Sequence, residues 1–262
     1  MIRLPISGVR AQWRSATGHD DMALADSRPG LAGVLDYVAR TVSTPDGTPL
    51  DPNALPVGDL DLLVVARRRE LRGDTLVAEG RCDQCDAVVD VQFSLAAYAN
   101  HHRPRPSRAA SAVPAEPGWW RLRAHEVTFR LPVAADVLAV GDSEDPRAGL
   151  LSRCVRGPVA PRGARAVEHA MATLAPTLRA DVAGTCPECS ANVLLDVDAR
   201  ELCLTELRFV AATVYDDVNL IASSYRWTQA AILNLPSARR RRYADMIAGR
   251  AVDLLDAGVP VA

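Results

Sequence analysis

The sequence predicts an α+β fold made of two pseudo-equivalent halves followed by a helical C-terminal region. Three observations carry that expectation. Matching apolar segments recur in the two halves in the same order. Each half contains one Cys-x-x-Cys pair flanked by strand-like runs, and a long stretch after the second pair has helical rather than strand periodicity.

The first match sets Ala32-Gly33-Val34-Leu35-Asp36-Tyr37-Val38-Ala39-Arg40 beside Ala148-Gly149-Leu150-Leu151-Ser152-Arg153-Cys154-Val155-Arg156. Their apolar positions largely coincide, each segment suits a short amphipathic helix, and Cys154 falls opposite Val38. A second helical pattern follows in each half, from Leu60 to Arg72 and from Ala164 to Leu178. Next come Leu76-Val77-Ala78-Glu79-Gly80-Arg81-Cys82 and Ala180-Asp181-Val182-Ala183-Gly184-Thr185-Cys186. After the pairs, Val88 to Phe93 and Val193 to Val197 read as return strands, so each half predicts a β-hairpin with cysteines at its tip. A Leu-Pro step, Leu4-Pro5 and Leu131-Pro132, is expected to open each half.

Between the halves, His101-His102-Arg103-Pro104-Arg105-Pro106-Ser107 and the Ala/Ser/Pro stretch after it have the composition of an exposed linker. Packing is expected to resume at Trp119-Trp120. Beyond the second pair, Leu204, Leu207, Val210, Ala211, Val214, Val218 and Ile221 mark one face of a long helix. Tyr225-Arg226-Trp227 interrupts it, and Thr228 is placed to cap a short helical turn before a last helix with Tyr243, Met246 and Ile247. The expected units are residues 1–100, a linker at 101–118, a second copy at 119–199 and a helical region at 200–262.

Composition bounds the chemistry. Of 262 residues, 48% are hydrophobic, 24% charged and only 5% aromatic, so a core built mainly from Ala, Val and Leu is expected. All basic side chains are Arg, and the net charge of −2 gives no bulk attraction to nucleic acid or anionic membrane. No apolar run approaches the roughly 20 residues of a membrane span, and the first residues lack a signal-peptide apolar region. A cytoplasmic protein is therefore expected, in which six cysteines are not a disulfide framework.

Two residues between cysteines let both sulfurs turn toward one point, and four thiolates complete the tetrahedral shell of a structural zinc ion. Cys82, Cys85, Cys186 and Cys189 are the candidate ligands. Their pairs lie about 100 residues apart, far beyond an ordinary zinc ribbon. The repeat resolves this: two copies related by a pseudo-two-fold axis bring their knuckles face to face around one Zn2+. Cys154 and Cys203 read as core residues. Three alternatives stand beside this. The cysteines could be inert and metal-free, or the pairs could be thiol-redox motifs. Alternatively, a zinc-ribbon adaptor could touch nucleic acid through Arg239-Arg240-Arg241-Arg242. The sequence holds no phosphate-binding Gly-rich loop, nucleophile elbow or His-Glu-x-x-His helix, and no small-molecule substrate is expected. Asp20-Asp21 and Asp216-Asp217 are expected to be solvated, because adjacent helical residues do not face each other.

Several islands resemble a known family. Ile221 to Thr228, Ala231-Ile232-Leu233-Asn234-Leu235-Pro236 and Arg239 to Tyr243 resemble a C-terminal signature of baseplate-associated proteins from phage-tail-like contractile injection systems. The wider group includes the baseplate hub assembly chaperones of contractile-tailed phages. Leu55-Pro56-Val57-Gly58-Asp59-Leu60-Asp61 is similar to that family's entry into the helix before the first knuckle, and both cysteine pairs look like the family's own. Asp86 and Ser190 stand where Gly is common after a knuckle. The resemblance implies assembly or architecture rather than catalysis, with baseplate or tail proteins as partners. In that setting Tyr225, Trp227 and Arg239 to Arg242 are candidate partner-binding residues.

Overall fold

The computed structural model describes residues 1–256, with side-chain surroundings through residue 249. The side chain of Arg250 and residues 257–262 of the expected C-terminal region lie outside those bounds. The chain is α+β, and its order shows the duplication directly. The first half runs β1 (Ile2–Arg3), β2 (Arg10–Trp13), α1 (Gly18–Ala25), α2 (Leu31–Thr41), β3 (Val42–Ser43), α3 (Val57–Arg72), the hairpin β4 (Thr75–Arg81) and β5 (Val88–Ser94), then α4 (Leu95–His101). The second runs β6 (Ala110–Ala112), β7 (Trp119–Leu122), β8 (Val127–Arg130), α5 (Ala134–Val140), α6 (Pro146–Cys154), α7 (Pro161–Leu174), the hairpin β9 (Arg179–Thr185) and β10 (Asn192–Asp198), then α8 (Ala199–Tyr225). Two helices close the chain, α9 (Gln229–Leu233) and α10 (Ser237–Asp256).

The equivalence extends to single bonds. Trp13 of β2 pairs with Val42 after α2, and Phe129 of β8 bridges Val155 after α6. Arg14, next to Trp13, forks onto Asp20 at 2.8 and 2.6 Å and donates to the Arg40 carbonyl. Arg130, next to Phe129, grips Asp136 and donates to the Arg153 carbonyl. Each aspartate also accepts the N–H of the residue three before it, Thr17 or Val133, which holds the start of α1 or α5. The same two-pronged contact thus fixes strand, helix start and helix end in both copies.

These contacts reset two alignments. Val155 is the counterpart of Val42, so Cys154 corresponds to Thr41, not Val38; both are buried in the last turn. The expected register was off by three residues, close to one helical turn, which leaves the apolar face unchanged. The Leu-Pro steps are not counterparts either. Leu4-Pro5 precedes β2, whereas Leu131-Pro132 follows β8.

Other expectations are corrected by packing. Residues 101–118 are not wholly an exposed linker: β6 pairs with β7, Ala110 is buried, and His101 ends α4. The helix expected to run to Leu178 stops at Leu174, because Pro176 cannot continue it. The helical C-terminal stretch is continuous with the rest. α8 packs against α1 and α3 and sends Cys203, Leu204, Leu207 and Ala211 into the largest core, which also takes in both hairpins. A second cluster gathers around Phe129 and Val167, and a third joins Ile221, Ile232 and Ala244 of α8, α9 and α10. As expected, Thr228 caps α9 by accepting the Ala231 N–H. No helix among the described residues is long and apolar enough to cross a membrane.

Candidate metal centre

The two hairpins are built alike. In the first, the Cys82 N–H donates to the Ala87 carbonyl and the Asp86 N–H returns to the Cys82 carbonyl; Cys186, Ala191 and Ser190 repeat both bonds in the second. Asp86 and Ser190 take left-handed backbone, at φ of 58° and 59°. The fold therefore places non-glycine residues in the conformation that favours glycine at both knuckles, keeping the turn geometry that the sequence had put in question.

The hairpins then meet about a pseudo-two-fold axis, β4 against β10 and β5 against β9. Glycines permit the approach. A Cβ on Gly80 would stand 2.3 Å from Leu195, and one on Gly184 would stand 2.4 Å from Val91, its counterpart contact. Leu195, Val91, Val89 and Val193 are buried in the core that takes in both hairpins.

The four sulfurs converge at its tip. Cys82 Sγ lies 3.6 Å from Cys189 Sγ, Cys85 Sγ lies 3.6 Å from Cys186 Sγ, and all four sit within 4.8 Å of one another. Sulfurs bound about 2.3 Å from one tetrahedral ion stand about 3.8 Å apart. A disulfide needs about 2.05 Å, and the cysteines are all free. The closest cross-pairs join one copy to the other, so an ion held by all four sulfurs would span both. Cys82 and Cys186 are buried while Cys85 and Cys189 face outward, again in equivalent pairs.

Local fields differ between the thiols. Backbone N–H groups of Cys189 and Glu188 bring the Cys186 thiol down to about 7, favouring thiolate. At Cys85 the Ala87 N–H pulls the same way, but neighbouring thiols and desolvation outweigh it and push the group up to about 12. Four clustered sulfurs cannot all ionise without a cation among them, so the donor set suits a soft or borderline divalent ion such as Zn2+. Four thiolates would fill every position of a tetrahedral ion from the protein. Both pairs lie between antiparallel strands rather than at a helix start, the position in which a backbone dipole would activate a redox thiol.

Cys154 and Cys203 lie outside this cluster, fully buried, with their thiols raised by burial, Cys203 to about 12. They pack as small core groups, as expected. The arginine run fares differently. Arg240 is fully buried, donating to Asp217 and Asp21 at 2.8 Å each, while Arg241 is half-buried and Arg239 and Arg242 are exposed. The run is therefore not a single basic surface. Asp20, Asp21 and Asp217 are buried rather than solvated, and of the two acid pairs only Asp216 faces solvent.

The Tyr225 and Trp227 rings stack 5.5 Å apart, and both touch Tyr243 of α10 at 6.0 and 5.4 Å, with Trp227 39% exposed. Pro236 beside them bridges Thr17 and the Ser237 N–H reaches the Ala16 carbonyl, fastening the start of α10 to the first half. Sequence reasoning passed over Arg240–Asp21, whose partners are 219 residues apart. It also passed over Asp61, which receives the Leu178 N–H and Arg200 and so ties α3 to the second hairpin. Burial pushes this carboxyl up to about 6. Comparison with protein-family models, with curated proteins and with solved structures finds no match to this chain.

Proposed function

We propose that this chain is a zinc-stapled structural component or assembly chaperone of the baseplate of a phage-tail-like contractile injection system, working by protein–protein recognition rather than catalysis. The observation that carries the scaffold part of this reading is the four-sulfur cluster. Two hairpins from two copies of one unit supply equivalent ligands, and a single ion shared by them would lock the halves together. A shell closed by four protein thiolates leaves no position for substrate, which favours a structural ion. The baseplate part rests on the sequence islands around Ile221 to Tyr243 and Leu55 to Asp61. The partly exposed Tyr225–Trp227–Tyr243 cluster supports a recognition role for the first of those islands, since aromatic side chains contribute heavily at interfaces. A nucleic-acid adaptor draws little support from the arginine run once Arg240 is committed to two buried carboxylates.

The test is co-expression of the tagged, zinc-loaded chain with the baseplate and tail proteins of a contractile particle, followed by size-exclusion chromatography with light scattering. A stoichiometric complex with a baseplate protein is expected. A fully metallated, folded chain that elutes alone with every candidate would overturn the baseplate reading and leave the metal assignment standing.

A further inference from the structure

The two halves also meet along a seam away from the sulfur cluster. There a cavity of about 470 Å³ opens between β1, α3, α4 and the loop before β9, and a smaller depression of about 230 Å³ adjoins it. They share His102, Arg103 and Pro176, so together they form one groove. The backbone on its sides is held firmly. Asp59 accepts the Ile6 and Ser7 N–H groups at 3.0 and 2.8 Å, and the Arg105 N–H donates to the Thr173 carbonyl. Gly58 lies so close to Pro176 that a Cβ there would stand 2.0 Å from its carbonyl oxygen.

The charge in this groove is one-sided. Arg3, Arg69, Arg103 and Arg105 line it together with His101 and His102, and no carboxylate among the described residues does. Arg69 is paired with Asp74, but Arg3, Arg103 and Arg105 make no ion pair among the described residues. Burial, with His101 and Arg105 nearby, lowers the pKa of His102, so at neutral pH His102 adds little to the charge of the guanidinium groups. This concentration of cations stands out in a chain of net charge −2. The floor is apolar, formed by Ile6, Leu62 and Leu178.

We propose that this seam groove is a docking site for an acidic peptide segment of a protein partner, with one apolar side chain seated on the Leu62–Leu178 floor and carboxylates held by Arg3, Arg103 and Arg105. Guanidinium forks match carboxylates two bonds at a time. Nucleic acid is disfavoured, because a polyphosphate wants a long cationic track and gains nothing from a concave aliphatic floor. The proposal rests on the protein-recognition reading above and gives it a partner chemistry. Because the groove is made by both halves, ligand and metal are coupled: a zinc staple that holds the halves in register holds the groove open.

The metallated chain is probed with an array of random 12-residue peptides, and the enriched peptides are measured by fluorescence anisotropy. Expected are Asp- and Glu-rich peptides around a Leu or Phe, with binding weakened at least tenfold by Arg103→Glu and by Arg3→Glu at unchanged Tm. A labelled 20-nucleotide single strand is run in parallel. No acidic enrichment, acidic peptides that bind both variants as tightly as wild type, or a strand that outcompetes the peptides and is lost in the same variants would each overturn the proposal. Running the baseplate co-expression with Arg103→Glu separates the two readings. A complex that forms equally with wild type and variant sinks the groove alone, whereas tight acidic peptides with no baseplate complex sink the baseplate reading alone.

Discussion

Replacing Cys82 with Ser removes one ligand from a site that joins segments 101 and 107 residues apart. A cross-link closing a loop of about 100 residues restricts the unfolded chain by about 4.7 kcal/mol in the chain-entropy treatment. For a protein of this size one kcal/mol moves Tm by about 2–4 °C, so losing the ion lowers Tm by about 10–20 °C. The assay is thermal unfolding by circular dichroism on wild type, chelator-treated wild type and Cys82→Ser, with elemental mass spectrometry on the same samples. About one zinc per chain is expected in wild type and none in the variant, with the variant and chelated wild type melting together. Cys203→Ala, which empties a buried position outside the cluster, is expected to lower Tm while keeping its metal. Unchanged metal and unchanged Tm in Cys82→Ser would refute the shared-ion reasoning. About two ions per chain would show that the knuckles bind separately with further ligands.

Gly80→Val drives a side chain into Leu195, 2.3 Å from the Cβ position, and is expected to cost about 1–3 kcal/mol. Adding Leu195→Ala should recover part of that loss in urea denaturation, and strictly additive effects would contradict the close approach of the hairpins. Arg240→Ala strands the carboxylates of Asp21 and Asp217 in the interior and is expected to destabilise by about 3–5 kcal/mol, against which a loss under about 1 kcal/mol would show that the contact is not formed. The Arg130 guanidinium holds the Asp136 carboxyl down at about 2, below its ordinary 3.8. Its contribution is complete above about pH 4 and is lost as pH falls through about 2, so Tm in that window should fall less steeply for Asp136→Asn than for wild type. Equal slopes would argue that Asp136 is not salt-bridged.

The features legible in the sequence were those written in short-range pattern. Two residues between cysteines and strand-like runs on either side fix a hairpin knuckle locally, and the recurrence of that unit implied that two pairs could share one ion. Helix register was legible only to within a turn. Val38 and Thr41 lie on the same face, so apolar periodicity alone could not decide which of them Cys154 matches; the Arg130 fork to Asp136 and the Arg153 carbonyl decides it. Buried ion pairs were illegible. Asp21 and Arg240 are ordinary surface residues by composition, and their contact depends on α10 folding back across α1 and α8. The seam groove was hidden for the same reason, since Arg3, Arg69 and Arg103 come from three separate stretches and become neighbours only when β1, α3 and α4 pack together.

The reciprocal contacts of Gly80 with Leu195 and Gly184 with Val91 have a kinetic consequence. Equivalent knuckles on two separate chains would have to find each other before capturing an ion, and occupancy would fall as protein is diluted. Carried on one polypeptide, the second pair meets the first at an effective concentration set by the intervening chain. Metal loading of a shared site would then be first order in protein and insensitive to dilution. Because the halves need not serve as identical partners, the elements after the two hairpins need not match: α4 has 7 residues, whereas α8 has 27 and packs against α9 and α10.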